Sequence, residues 1–124
     1  MSFRFTAAAR MKRPAEFQLV YREAKRSGDG LLLVFGRANG LDRTRIGLSV
    51  SRKFGASVRR NRVKRVLREA FRLARDKIPA GMDLILIPRA GITPRLETLS
   101  QSLVRTAGIL AKRIGLTRDR EGKA

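Results

Sequence analysis

The sequence predicts an α+β sandwich in which three helices cover one small sheet. Two segments of different periodicity, and the order of the elements around them, carry that prediction. Within residues 57–76, Val63, Val66, Leu67, Ala70, Phe71 and Ala74 fall at i, i+3, i+4, i+7, i+8 and i+11, the single apolar stripe of an amphipathic helix. Asp83-Leu84-Ile85-Leu86-Ile87-Pro88 is a short run apolar on both faces, the pattern of a central strand. Around these two, the patterns run helix, two or three strands, helix, strand, helix, with no internal repeat.

Residues 1–12 are basic and acid-free, have no apolar signal-peptide core, and read as a loosely ordered arm. Pro14 suits a first helical turn, and Phe17, Val20, Tyr21 and Ala24 follow at i, i+3, i+4 and i+7, predicting a helix over 14–25. Ser27-Gly28-Asp29-Gly30 breaks it and leads into a strand over 31–35, with room for a further short strand around 35–39. Asn39-Gly40 signals a turn. Alternation and β-branching from Thr44 to Val50 predict the next strand, and Gly55 marks the loop before the long helix. Pro79-Ala80-Gly81 leads into the central strand. Thr93 then reads as an N-cap with Pro94 at the first helical position, and Leu96, Leu99, Leu103, Ala107 and Leu110 trace a last helix to about residue 112. From Gly115 onward the chain is polar and reads as a flexible tail. The expectation is one domain spanning the 124 residues, folded over about 10–112.

Charge points to the partner. The chain carries 29 Lys and Arg against 10 Asp and Glu, a net +19. Ten of those bases lie between Arg52 and Arg75, with Glu69 the single acid. On the helix of 57–76, Asn61, Arg65, Arg68 and Arg72 project opposite the apolar stripe, with Arg62 and Lys64 on its flanks. An ordinary solvated face mixes signs, whereas this one is built to meet a polyanion, with binding steeply dependent on salt. An anionic membrane is the competing polyanion, but no segment approaches a spanning length and Trp is absent, so no membrane partner is expected.

Residue types also narrow the chemistry. Without Cys or His there is no disulfide framework, no zinc site of the usual kind and no imidazole base; the lack of Cys fits a reducing cytoplasm. The acids form no D-x-D or E-x-x-E cluster of the sort that holds catalytic metal ions. Asp29, Asp42, Asp76 and Asp83 fall at turns or element edges, where turn and capping roles are the default. No Walker-type loop appears. The residues describe an RNA- or DNA-binding module without catalytic groups of its own.

The stretch from Arg45 through Arg60-Asn61-Arg62-Val63-Lys64-Arg65-Val66-Leu67-Arg68-Glu69 to Arg72 resembles the bacterial ribonuclease P protein family, whose signature is R-N-R-x-K-R-x-x-R-E. Arg10-Met11-Lys12-Arg13 with Glu16-Phe17-Gln18-Leu19-Val20-Tyr21, and Asp83 to Gly91, are similar to its first helix and last strand, so the likeness covers roughly 10–112. The resemblance implies a two-layer sandwich on a small mixed sheet of about four strands, with a left-handed crossover through the basic helix. It implies a subunit of the endoribonuclease that forms the mature 5′ end of tRNA; the free protein is expected to be a monomer, with the sequence itself silent on dimerisation. Its partners are the catalytic RNA and precursor tRNA. The resemblance also implies that divalent metal, Mg2+, is held mainly by the RNA and none tightly by the protein, which would have no catalytic residue.

Carried over residue by residue, Arg59, Arg60, Asn61, Arg62, Lys64, Arg65 and Arg68 match the positions that face the catalytic RNA, with locking of the entry loop as the other reading for Asn61 or Arg62. Phe17 and Tyr21 match aromatic positions of a cleft that takes the 5′ leader; core packing is the other reading for Phe17. Ser49, Ser51, Arg52, Lys53 and Arg89 match positions along the leader path, with a solvated strand face as the other reading for the serines. A further aromatic position falls at Val34 or Phe35. The alternative function is a structural RNA-binding protein such as a small ribosomal protein. A helix-turn-helix reading fails because a strand, not a helix, precedes the basic helix.

Overall fold

Four strands and three helices form from these patterns within residues 9–11 and 13–116, the part of the chain that this computed structural model describes. Pro14 opens α1 (Pro14–Glu23), and Glu16 Oε1 accepts the Arg13 amide at 3.2 Å to cap its first turn. The chain continues as β1 (Lys25–Gly28), β2 (Leu32–Ala38), β3 (Arg45–Leu48), α2 (Ser57–Ala74), β4 (Met82–Pro88) and α3 (Leu96–Ile114). Single 3-10 turns at Arg52–Phe54 and Arg75–Lys77 flank α2.

The sheet is mixed, in the order β1-β2-β4-β3. The pairs β1–β2 and β2–β4 are antiparallel, whereas β3 and β4 are parallel and joined through α2. Because β4 inserts between β2 and β3, it is buried on both faces. Leu84 and Leu86 join the main core with Leu32, Val34 and Ile46, under Val63, Leu67 and Phe71 of α2 and Leu99, Leu103 and Leu110 of α3. Ile85 points the other way, into a smaller core with Met11 and Val20, edged by Phe17, Phe35 and Ile87. Helices α2 and α3 thus cover one face of the sheet, and the shorter α1 crosses part of the other.

Several elements differ from the sequence expectation for physical reasons. Lys25–Gly28 is a strand rather than a helix end followed by a break; as an edge strand with only Ser27 buried, it has no apolar alternation to read. The strand of 31–35 and the short one near 35–39 are a single strand, β2. Helix α3 is capped at Arg95 rather than Thr93, its first turn closing with the Leu99 amide on the Arg95 carbonyl at 3.0 Å. Pro94 favours an extended residue before it, and the Arg59 guanidinium holds the Ile92 carbonyl at 3.2 Å. Residues 9–11, read as part of the arm, run beside β3: Arg10 bridges Ile46, the Met11 amide donates to the Ile46 carbonyl at 2.9 Å, and Ala9 is buried. The arm over 1–8 and the tail over 117–124 lie outside the described residues.

Asp83 does not cap a turn. It stands opposite Arg45 in the β3–β4 register and is 1% exposed. Arg45 grips it with two parallel bonds, Nε to Oδ1 at 2.9 Å and Nη2 to Oδ2 at 2.7 Å, and Asn39 Nδ2 donates to Oδ1 at 2.9 Å. Burial would raise the Asp83 carboxyl, but the bonds from Arg45 and Asn39 bring it below its ordinary value. The same guanidinium reaches Glu16 Oε2 at 2.9 Å, tying the start of α1 to the sheet.

Candidate nucleic-acid interface

The outward side of α2 is the first surface. With Val63, Leu67, Ala70 and Phe71 committed to the core, helical geometry turns Asn61, Arg62 and Arg65 to solvent, all exposed, and Arg68 lies half-buried beside them. Asn61, Arg65, Arg68 and Glu69 line a concavity of about 380 Å3. Glu69 is bonded by Arg72 one turn on, at 2.9 and 2.5 Å, so the one acid of this face is neutralised. Arg62, Lys64 and Arg65 make no hydrogen bond or ion pair among the described residues. Burial, and then the like charge of Arg10, push the Arg68 guanidinium below its ordinary value, a charge strain that an anion would relieve.

Two of the seven predicted catalytic-RNA positions also make structural bonds, and they are not the two for which the sequence offered that reading. Arg59 donates through Nε to the Phe54 carbonyl at 3.1 Å and through Nη2 to Ile92, with its guanidinium carbon 5.1 Å from the centre of the Phe54 ring. Arg60 Nε donates to the Gly55 carbonyl at 3.2 Å. These bonds lock the entry loop to α2, the role that sequence reading left open for Asn61 or Arg62. Each guanidinium keeps further N–H donors.

The second surface is the α1 side of the sheet. Phe17 lies against Gly47 of β3, where an added Cβ would stand 2.4 Å from the ring Cζ. Gly47 is therefore a seat for the ring, and Phe17 is both packed and partly exposed. Tyr21, one turn along α1, is 43% exposed and meets Phe35 edge-on, ring centres 5.2 Å apart at 73°. Of the two first-strand residues that the sequence offered, Phe35 faces α1, and Val34 is buried on the other face. Replacing Gly47 by alanine is expected to dislodge Phe17 and destabilise the domain by about 1–3 kcal/mol, read as a lower urea midpoint. An unchanged midpoint would show that the ring is not seated there.

The two surfaces meet around the edge of β3. A cleft of about 460 Å3 there is lined by Arg10, Met11, Phe17, Ile46, Gly47, Leu48, Lys64 and Arg68. Arg10, in this cleft, escaped the sequence reading because only its bridge to β3 places it. At the C-terminal ends of β3 and β4, Ser49 continues the ladder by donating its amide to Leu86 at 3.0 Å. Ser51, just before the 3-10 turn, and Arg52 and Lys53 on it follow, all exposed. Arg89 leaves the same end of the sheet but turns toward β1, its Nε donating to the Asp29 carbonyl at 3.0 Å.

Six of the eight carboxylates among the described residues are engaged with arginines rather than with one another. Besides Glu16 and Asp83 on Arg45, Glu23 pairs with Arg37 and Asp29 with Arg105. Burial would raise Asp29, but the Leu32 amide, Ser102, the Leu31 amide and Arg105 hold it well below the usual carboxylate range. Among the described residues no group of three acids fits a metal ion, and no helix is long and apolar enough to cross a membrane.

Fold and surfaces together define a small basic α+β protein shaped to meet nucleic acid, with one face of guanidinium groups and one of aromatic rings. Comparison with known proteins narrows this class. The sequence model of the family described as Ribonuclease P matches residues 5–114. The ribonuclease P protein component of Thermotoga maritima is 38% identical over 105 residues, covering 85% of this chain and 90% of that one. That of Oleidesulfovibrio alaskensis is 43% identical over 93 residues, covering 73% and 74%. A solved structure of the Thermotoga maritima protein superposes with a TM-score of 0.71 at 33% identity, covering 83% of this chain and 96% of that one. The chain belongs to the ribonuclease P protein family, the protein subunit of the endoribonuclease that processes precursor tRNA.

Proposed function

We propose that this subunit holds two RNAs at once through adjoining surfaces. The outer face of α2, with Asn61, Arg62, Lys64, Arg65 and Arg68 and the spare donors of Arg59 and Arg60, takes the catalytic RNA. Arg forks match phosphate oxygens in pairs, and the helix presents them from one rigid element. The α1 side of the sheet takes the single-stranded 5′ leader of precursor tRNA, with Phe17 and Tyr21 as base platforms and Ser49, Ser51, Arg52, Lys53 and Arg89 along the backbone. Stacking reads no particular base, which suits leaders of varied sequence. Divalent ions for cleavage belong to the RNA in this reading, and the complex works in the bacterial cytoplasm.

The observation that carries the proposal is the cleft around β3, which joins Lys64 and Arg68 of α2 to Phe17. A protein that only buttressed a folded RNA would need the first surface alone. Tyr21→Ala is expected to weaken binding of precursor tRNA by about 1–3 kcal/mol in the assembled enzyme while leaving affinity for the catalytic RNA and for leaderless tRNA unchanged. Equal loss for all three RNAs would contradict a separate leader surface.

A further inference from the structure

We propose that the leader leaves the protein over the β1 edge, where Arg26 binds a distal leader phosphate; this rests on the leader-surface reading above. Strand pairing defines two rows of side chains across the α1 side of the sheet. Arg26 stands opposite Phe35, and Phe35 opposite Ile85, which is level with Gly47. Directly opposed residues share a face, so Arg26 lies on the α1 side beside the Tyr21–Phe35 pair. The neighbouring row is Gly28, Leu33 and Ile87, with Ser49 completing it by alternation beyond Gly47.

That second row is open at its β1 end. Leu33 and Ile87 are only partly buried, and Gly28 carries no side chain. A Cβ at Gly28 would stand 3.0 Å from Arg89 Nη2 and 3.3 Å from Leu33 Cδ1, so the Arg89 guanidinium lies over the place that a side chain would fill. From Ser49 to Gly28 is three strand spacings, about 14 Å. A chain following this row meets Arg89 and then the exposed Arg26.

The charge there is one-signed. Arg22, Lys25 and Arg26 are exposed, and Arg113 adds its charge by donating to the Arg26 carbonyl at 2.6 Å. Glu23 is paired with Arg37 at 3.3 Å, and Asp29 directs its carboxylate to Ser102 and Arg105 of α3, away from the row. Charged residues also protect a sheet edge from pairing, but that role needs no alignment with the aromatic pair.

The test uses the reconstituted enzyme and precursor tRNAs with leaders of about two and about eight nucleotides, a length range that single-strand grooves span. Arg26→Ala is expected to weaken binding of the long leader about three- to ten-fold and to leave the short one unchanged. It should also reduce the steepness of the log-affinity against log-salt plot for the long leader by about 0.7, the share of one single-strand phosphate. Arg26→Glu should weaken it further, with an unchanged melting temperature excluding misfolding. If Tyr21→Ala discriminates leaders and Arg26→Ala does not, the exit is wrong and the leader surface stands. If neither discriminates, the leader surface itself fails. Loss of catalytic-RNA affinity on Arg26→Ala would place this edge against that RNA and overturn the proposal.

Discussion

Replacing Arg62 and Arg65 together by glutamate is expected to lower affinity for the catalytic RNA by about two to three orders of magnitude. Both side chains stand on the outer face of α2, exposed and without a protein partner among the described residues. No intramolecular bond is therefore lost, and the melting temperature should stay the same or rise as like-charge repulsion in a chain of net charge +19 is relieved. Each charge-assisted contact contributes about 1.5–3 kcal/mol, and reversal adds repulsion from the phosphates. Arg59→Ala is the contrasting case. It also removes the bonds to Phe54 and Ile92, so RNA affinity and stability should fall together. Filter binding over a salt series would separate them: the double variant flattens the salt dependence at unchanged stability. An unaltered slope would show that α2 is not the main RNA contact.

The largest effect on stability is expected at Arg45. Arg45→Ala strips both guanidinium bonds from an Asp83 side chain that is 2% exposed, and also frees Glu16 from the sheet. Leaving one member of a buried pair uncompensated costs about 3–5 kcal/mol, a large part of the stability of a domain this size. The pH dependence has a definite sign. In the native protein Asp83 is held below its ordinary 3.8, so its contribution is complete above that value and is lost as pH falls through the folded one. Without Arg45, burial dominates and raises the carboxyl. Protonation then relieves the folded state as pH falls, and the gap between native protein and variant narrows toward pH 4 in urea unfolding. A gap that stays constant with pH would show that the lost stability does not come from stranding the Asp83 charge.

The parts of this architecture that repeat within one element were legible in the sequence. The stripe from Val63 to Ala74 predicted α2 and, by subtraction, its outward arginines, because both follow from 3.6 residues per turn. The apolar run of β4 predicted a central strand because a strand with a neighbour on each side and helices over it exposes neither face. What escaped depends on pairing between elements. Lys25–Gly28 has one buried residue and one neighbouring strand, too little pattern to show. Arg45 and Asp83 are 38 residues apart and meet only in the parallel register of β3 with β4. Register likewise decided between Val34 and Phe35, which one residue of slip would exchange. The seats of Phe17 on Gly47 and of Arg59 on Phe54 are tertiary contacts, so the sequence could nominate these residues without saying which were packed and which were free.

The central claim is that this chain positions RNA and that the chemistry belongs to its RNA partner. Cleavage of a 5′-extended precursor tRNA at low magnesium tests it most directly, comparing the ribonuclease P RNA alone, the protein alone and the two combined. Efficient release of the leader with a mature 5′ end only from the mixture is the expected result. Cleavage by the protein alone, or no stimulation of the RNA by it, would contradict the account.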